Sequence, residues 1–173
     1  MKTKRKGSST GRRLLITGAA SVLLVLLYCL IFGFSAQDGG ESSSLSGTIS
    51  EKCVECANAV FRAGWDAAEK AERAESFEYP LRKAAHFSEY ACMGILVYIL
   101  WSQWMRRGWR LYLLTVLWVF FSAAGDEFHQ FFVPGRSASF RDVLIDTCGG
   151  AFGMLFCIAA GALLRRLGRR RNR

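Results

Sequence analysis

Acidic residues are missing from three parts of this sequence. Residues 1–34, 103–110 and 165–173 contain no Asp or Glu, yet they hold 15 of the 23 Lys and Arg residues. In each part the basic residues stand beside a long apolar run. A nucleic-acid-binding protein would instead spread its basic residues over a folded polar surface, so we expect no nucleic-acid partner. The pattern is typical of a membrane protein whose short loops are basic on the cytoplasmic side.

Other common signals are also missing. The CVEC segment contains Cys53 and Cys56, but no second cysteine pair lies near it, so we interpret these residues as incidental thiols. The first apolar run is too long for the core of a signal peptide, and no Ala-x-Ala cleavage site follows it, so we expect it to remain in the protein. No motif around Ser137 or Ser139 marks a catalytic nucleophile.

Four apolar stretches are long enough to cross a bilayer, which takes about 20 helical residues. They are residues 14–34, 84–105, 111–132 and 142–164. Within lipid each must be a helix, because a helix satisfies its own backbone polar groups. We therefore predict an all-α integral membrane protein with four transmembrane helices, a membrane domain over 14–164 and basic tails at 1–13 and 165–173. In the last stretch, small residues at every fourth position predict close helix packing: Gly149, Gly153, Cys157 and Gly161.

The basic residues also predict the orientation. The positive-inside rule places both termini in the cytoplasm and the loop 35–83 outside the cytoplasmic membrane. That loop opens with FSAQDGGESSSLSG, which favours turns. Residues 48–77 then show apolar residues at three- and four-residue spacing, which predicts an extracytoplasmic amphipathic helix lying on the membrane or over the bundle, ended by Pro80.

Ionisable residues fall at one depth in three of the predicted helices. His86 and Glu89 lie near the start of the second, Asp126 and His129 near the end of the third, and Asp142 and Asp146 near the start of the fourth. Each set shares one helix face, and ionised groups facing lipid are costly. We therefore predict that they face one another in a single polar pocket that opens to the outside. The segment VPGRSASFR, with Arg136 and Arg141, would cover this pocket.

Three segments together resemble the VanZ-like family of bacterial membrane proteins: FSAQDGGESSSLS, RKAAHFSEYACMG and GDEFHQFFVPGRSASFRDVLIDTCGGAFG. The resemblance implies a role in the cell envelope and an association with resistance to teicoplanin-type glycopeptide antibiotics. It does not imply a reaction. The residues that match the family pattern are Lys83, His86, Glu89, Tyr90, Asp126, Glu127, His129, Gln130, Arg136, Ser137, Asp142 and Asp146.

Several hypotheses for the pocket remain open. In an enzyme acting on an envelope lipid or lipid-linked cell-wall precursor, the catalytic candidates are His86, Glu89, Asp126 and His129. The substrate-binding candidates are Lys83, Tyr90, Gln130, Arg136, Ser137, Asp142 and Asp146. Alternatives are non-catalytic binding of the glycopeptide or a lipid head group, a metal site, an ion path and a purely structural charge network. The sequence identifies no cofactor and no metal ligand set.

Overall fold

The computed structural model describes residues 4–171, with the side chains of residues 10–170. This part of the chain consists of helices without strands. The helices are α1 (Lys4–Ser35), α2 (Gly39–Phe61), α3 (Ala67–Ser102), α4 (Trp109–Gln130) and α5 (Phe140–Arg171).

Four segments of these helices are long and apolar enough to cross a membrane. They are Thr10–Ser35, Ala67–Ser102, Trp109–Gln130 and Phe140–Arg170. The prediction of an all-α protein with four membrane-spanning helices is therefore confirmed. A helix of 36 residues such as α3 is about 54 Å long, well beyond the hydrocarbon core of about 30 Å. The first third of α3 therefore extends past the bundle, where it packs against α2.

The helical region between the first two spans differs from the prediction. We expected turns up to residue 47 and one helix over 48–77, but α2 begins at Gly39, and α3 runs through Pro80. Asp38 caps α2 by accepting a hydrogen bond from the Glu41 amide at 2.8 Å. Residues 62–66 separate the two helices, and Arg62 takes the left-handed conformation (φ 50°) that ends α2.

Packing against α2 explains why Pro80 does not end α3. Proline removes one helical hydrogen bond and disfavours a helix interior. However, Ser50 of α2 donates to the Ala74 carbonyl at 2.5 Å, and Ser46 donates to Glu78 at 2.8 Å. Ser42, Ser46 and Ser50 form a buried stripe of small residues on α2. These contacts hold residues on the N-terminal side of Pro80 in the helix.

The core of the bundle forms where α3 meets α1, α4 and α5. Tyr90, Met93 and Val97 of α3 are fully buried and pack against Val119 of α4 and Val143 of α5, among others. At the end of the bundle that carries the arginine-rich segments, the indole of Trp104 donates to Thr17 at 3.1 Å. The polar residues between α1 and α2, in α3 and between α4 and α5 gather at the opposite end, which we call the polar end.

The backbones of α3 and α5 approach closely at glycines. A Cβ atom added to Gly149 would overlap the Phe87 carbonyl, and one added to Gly153 would overlap the Ala91 carbonyl. On the other side of this contact, Gly94 of α3 lies against the Gly150 backbone. The predicted close packing is therefore confirmed at Gly149 and Gly153, whereas Gly161 lies in open space apart from its own helix.

Candidate functional site

A polar cavity of about 410 Å³ lies at the polar end of the bundle. It is formed by the start of α2, the middle of α3, the end of α4, and the segment that links α4 to α5. Four cationic side chains line it against two carboxylates. The cations are Arg82, Lys83, Arg136 and Arg141, and the carboxylates are Glu127 and Asp142. Other polar groups complete the lining: His86, Gln130, Ser137 and Ser139 among them.

The link between α4 and α5 is shaped by a turn that brings Arg136 into the cavity. Gly135 has a φ of 73°, which an L-residue with a side chain rarely adopts. The Gly39 amide donates to the Pro134 carbonyl at 3.0 Å, so the start of α2 holds this turn in place. A Cβ atom on Gly39 would overlap the Gly135 carbonyl, so only glycine permits this approach.

Arg136 connects the link to the end of α1. Its guanidinium donates to the Gln37 carbonyl at 3.2 Å and to the Phe34 carbonyl at 3.0 Å. Burial lowers the pKa of Arg136, and the neighbouring charge of Arg82 lowers it further. Arginine remains charged in proteins, so these two cations repel each other across the cavity. An anion bound beside both would relieve this repulsion.

The carboxylates of the cavity are already engaged. Asp142 forms an ion pair with Lys83 at 2.5 Å, and both side chains are mostly buried. Glu127, only 5% exposed, accepts a hydrogen bond from the Ser139 amide at 2.8 Å and thereby fixes the residue before α5. Neither Arg82 nor Arg141 has a carboxylate within ion-pair distance in the part of the chain that the structure describes. Arg136 likewise has no ion pair among the described residues, so three of the four cations in the cavity lack a carboxylate partner.

A second cavity, of about 160 Å³, adjoins the polar one and is mostly apolar. Phe34, Leu45, Ile49, Leu81 and Ala85 supply its apolar surface. The two cavities share three lining residues, which are Arg82, His86 and Arg136. These shared residues place a charged compartment directly beside a hydrophobic one.

His86 is one of the shared residues, and its neighbours differ from the prediction. In the enzyme hypothesis, the acidic candidate nearest to His86 in the sequence is Glu89, three residues along the helix, which would orient this imidazole. Instead, Nδ1 of His86 lies 3.9 Å from a carboxylate oxygen of Asp146 on α5, a distance too long for a hydrogen bond. Asp146 is 1% exposed. Glu89 lines the mostly apolar cavity, where no ion pair involves it among the described residues.

The other predicted histidine lies elsewhere. His129 stacks on Phe32 of α1, with ring centroids 4.5 Å apart, and lines a third cavity between α1, α3 and α4. Asp126 and Tyr90 line this third cavity as well. The Asp126 carboxylate accepts a hydrogen bond from Gln130 at 3.0 Å. The prediction of one pocket containing every ionisable residue is therefore not what the structure shows, because the two histidines line different cavities.

The reason is the rotation of α4. Glu127 and Gln130 lie on the buried face of α4, in line with Thr115, Val119 and Ala123. Asp126 and His129 are one residue earlier in each case, so they turn toward α1. We predicted that Asp126 and His129 line the polar pocket, and we did not assign Glu127 or Arg82 to it. A spacing of four from Thr115 through Val119 and Ala123 to Glu127 was the signal that could have identified Glu127.

The structure does not assemble the ligands that the metal hypothesis requires. Among the residues described, no three His, Cys, Asp or Glu side chains lie close enough together to hold a metal ion. The residues that line the two adjoining cavities instead fit an organic anion with an apolar part.

Comparisons with known proteins agree with the motifs. Residues 20–164 match a family model described as VanZ/LLP1. This range includes all of the cavity residues described above. No curated protein and no solved structure matches the chain.

Proposed function

The chain belongs to the VanZ/LLP1 family, and from this premise we propose that it binds the anionic head group of an envelope lipid or lipid-linked cell-wall precursor. The protein lies in the bacterial cytoplasmic membrane as a multi-pass protein, with its polar end outside and both termini in the cytoplasm. Binding there reduces susceptibility to teicoplanin-type glycopeptides, which act on the same side of the membrane.

One observation supports a phosphate-containing lipid as the ligand. A charged cavity and a mostly apolar cavity share Arg82, His86 and Arg136. A lipid with a phosphate head group has the same two parts, joined at one point. The phosphate would lie against the two guanidinium groups, which bind phosphate oxygens through directed hydrogen bonds. The first part of the hydrocarbon chain would lie against Leu45, Ile49 and Leu81.

Binding of a polyprenyl phosphate to purified protein in nanodiscs tests this proposal. Arg82 has no hydrogen bond or ion pair within the described residues, so Arg82→Gln removes a charge from the cavity without removing a structural contact. Charge-assisted hydrogen bonds contribute about 1.5–3 kcal/mol, so the variant should bind about 10- to 100-fold more weakly. Arg166→Gln, at the other end of the bundle, is the matched control and should bind like the wild type.

The same variants connect binding to resistance. Cells that produce Arg82→Gln at the wild-type membrane level should be as susceptible to teicoplanin as cells without the protein, and Arg166→Gln should behave as the wild type. If both variants lost the same amount of binding, the loss would be explained by nonspecific attraction between the basic protein and the phosphate. Binding of polyprenyl phosphate by Arg82→Gln with the wild-type affinity would contradict a head-group site at Arg82.

A second candidate function is hydrolysis or group transfer on the same lipid. His86 favours it, because this imidazole lies on the wall shared by the two cavities and has the buried Asp146 carboxylate behind it. A histidine beside a carboxylate is suited to act as a general base. Mass spectrometry of lipids from producing and null cells separates the two functions. A new or missing lipid species that depends on His86 supports catalysis, whereas unchanged lipids support binding alone.

A further inference from the structure

The third cavity, between α1, α3 and α4, has no role in the head-group site. It measures about 560 Å³ and is lined largely by apolar and aromatic side chains. We call it the lateral cleft. It shares no lining residue with either of the other two cavities. Phe32 and Phe121 at its rim are 58% and 68% exposed, so the cleft opens on the side of the bundle where lipid chains would lie.

Some polar groups of the lateral cleft already have partners. The indole of Trp118 donates to the Tyr28 hydroxyl at 2.9 Å, and that hydroxyl lies 2.5 Å from the hydroxyl of Ser122. Ser122 in turn donates to the Trp118 carbonyl at 2.8 Å. These three residues form a closed chain of hydrogen bonds and have little left to offer a ligand.

Three other polar groups retain unused capacity. The Tyr90 hydroxyl and Nε2 of His129 are buried and have no hydrogen-bond partner in the described part of the chain. Tyr90 as a whole is 0% exposed. The Asp126 carboxylate accepts one hydrogen bond, from Gln130, and has no cation within ion-pair distance among the described residues. Buried polar groups without partners are costly and uncommon, so their gathering around one cleft points to a ligand.

The chemistry of these groups selects the ligand. Asp126 and the Tyr90 oxygen are acceptors, and Nε2 of a neutral His129 is a third when the proton is on Nδ1; a primary ammonium group has three N–H donors. No Lys or Arg lines the cleft, so a phosphate or sulfate head would meet an unpaired carboxylate with no compensating cation. The aromatic rings of Trp118 and Phe121 add favourable faces for a cation.

From this combination we infer that the lateral cleft binds a primary ammonium group carried on an apolar chain. The ammonium lies among Asp126, Tyr90 and His129, and the chain passes between Phe32 and Phe121 toward the lipid. This site shares no lining residue with the phosphate site, and it gives Asp126 and His129 a binding role of their own.

Tryptophan quenching tests the inference on the full-length protein in phosphatidylcholine nanodiscs. The probe is 11-bromoundecylammonium, whose bromine quenches nearby indoles, and the comparison probe is 11-bromoundecanol. The ammonium should quench at a concentration at least about 10-fold lower than the alcohol, because hydrogen bonds to charged groups are the stronger ones. A Trp118→Phe variant should lose most of the saturable quenching, which locates the probe in the cleft.

Variants then identify the acceptors. Asp126→Asn should raise the half-saturating concentration about 10- to 100-fold, and Tyr90→Phe about 3- to 10-fold. Glu72→Gln, which removes an exposed carboxylate from α3, is the matched control and should titrate as the wild type. Circular dichroism and gel filtration check that each variant is folded. If Asp126→Asn does not fold, Tyr90→Phe and the comparison of the two probes on the wild type decide.

Three results would overturn the inference. Equal quenching by the alcohol and the ammonium would show that the cleft does not select a cation. Quenching that persists in Trp118→Phe would place the probe outside the cleft. If the Asp126 and Tyr90 variants both had the half-saturating concentration of the wild type, these groups would not hold the ammonium.

Discussion

Replacing Gly153 by alanine should destabilise the protein, whereas the same change at Gly161 should not. Both glycines lie in α5, and alanine is favoured over glycine inside a helix by about 1 kcal/mol. At Gly153 the added methyl group would overlap the carbonyl of Ala91 on α3, and a backbone group cannot rotate away. At Gly161 the nearest neighbour is the Arg165 side chain, 3.7 Å away, which is an ordinary contact.

The difference between the two variants isolates the cost of helix overlap. The gain in helix propensity is the same in both and cancels. Inserting a methyl group into a well-packed interface costs about 1–3 kcal/mol, so Gly153→Ala should be less stable than Gly161→Ala by about that amount. The free energy of unfolding can be measured by titrating the protein in detergent micelles with dodecyl sulfate and following helicity by circular dichroism.

Two outcomes would contradict the close contact between α3 and α5 at Gly153. Indistinguishable free energies of unfolding for the two variants would mean that α3 and α5 do not approach closely at Gly153. A variant at Gly161 that is less stable than one at Gly153 would mean that the contact lies in the other half of α5. Either result would mean that α3 and α5 pack differently from the structure, and these two helices carry His86 and Asp146.

Three further predictions concern the polar end of the bundle. Cys53 and Cys56, exposed on α2, should react in intact cells with a membrane-impermeant maleimide, and labelling that requires broken cells would place α2 in the cytoplasm. Lys83→Asp or Asp142→Lys alone should lower the free energy of unfolding by up to about 3–5 kcal/mol, because each breaks a mostly buried ion pair. The double variant, which exchanges the two residues, should recover much of this stability, and a double variant as unstable as the single ones would contradict the ion pair. Gly135→Ala should lower the free energy of unfolding by about 1–2 kcal/mol, because alanine is strained at the φ of 73° that Gly135 adopts. This variant should also bind polyprenyl phosphate more weakly, and unchanged binding would show that the turn does not shape the cavity.

The spans could be predicted from sequence because the signals are strong and local. The apolar runs and the absence of acidic residues from three segments located all four helices, with ends within a few residues at most boundaries. The largest difference is at the start of α3, where the prediction treated Pro80 as a stop, and the last span also continues about six residues beyond the predicted end at residue 164. Proline is a strong local signal, but the hydrogen bonds from Ser46 and Ser50 on α2 are tertiary and cannot be read from the residues around it.

The candidate site could be predicted only in part. Depth along each helix follows from the rise per residue, so the sequence correctly gathered Lys83, His86 and Asp142 at one end. Rotation about the helix axis does not follow, because α4 is apolar on more than one face. The four-residue spacing from Thr115 to Glu127 indicates one face of α4, but it does not show which neighbour that face meets. Only the packing of α4 assigns Glu127 to the polar cavity and Asp126 to the lateral cleft.

The most direct test of head-group binding is to map where a bound lipid contacts the protein. A polyprenyl phosphate with a photoreactive group near its phosphate end can be cross-linked in nanodiscs and the adducts located by mass spectrometry. If the phosphate lies beside Arg82, adducts should form on Leu45, Ile49 and Leu81, which line the apolar cavity, and should be lost in Arg82→Gln. Adducts confined to the exposed outer face of α5, such as Leu163 and Leu164, and unchanged in that variant would contradict this placement of the phosphate.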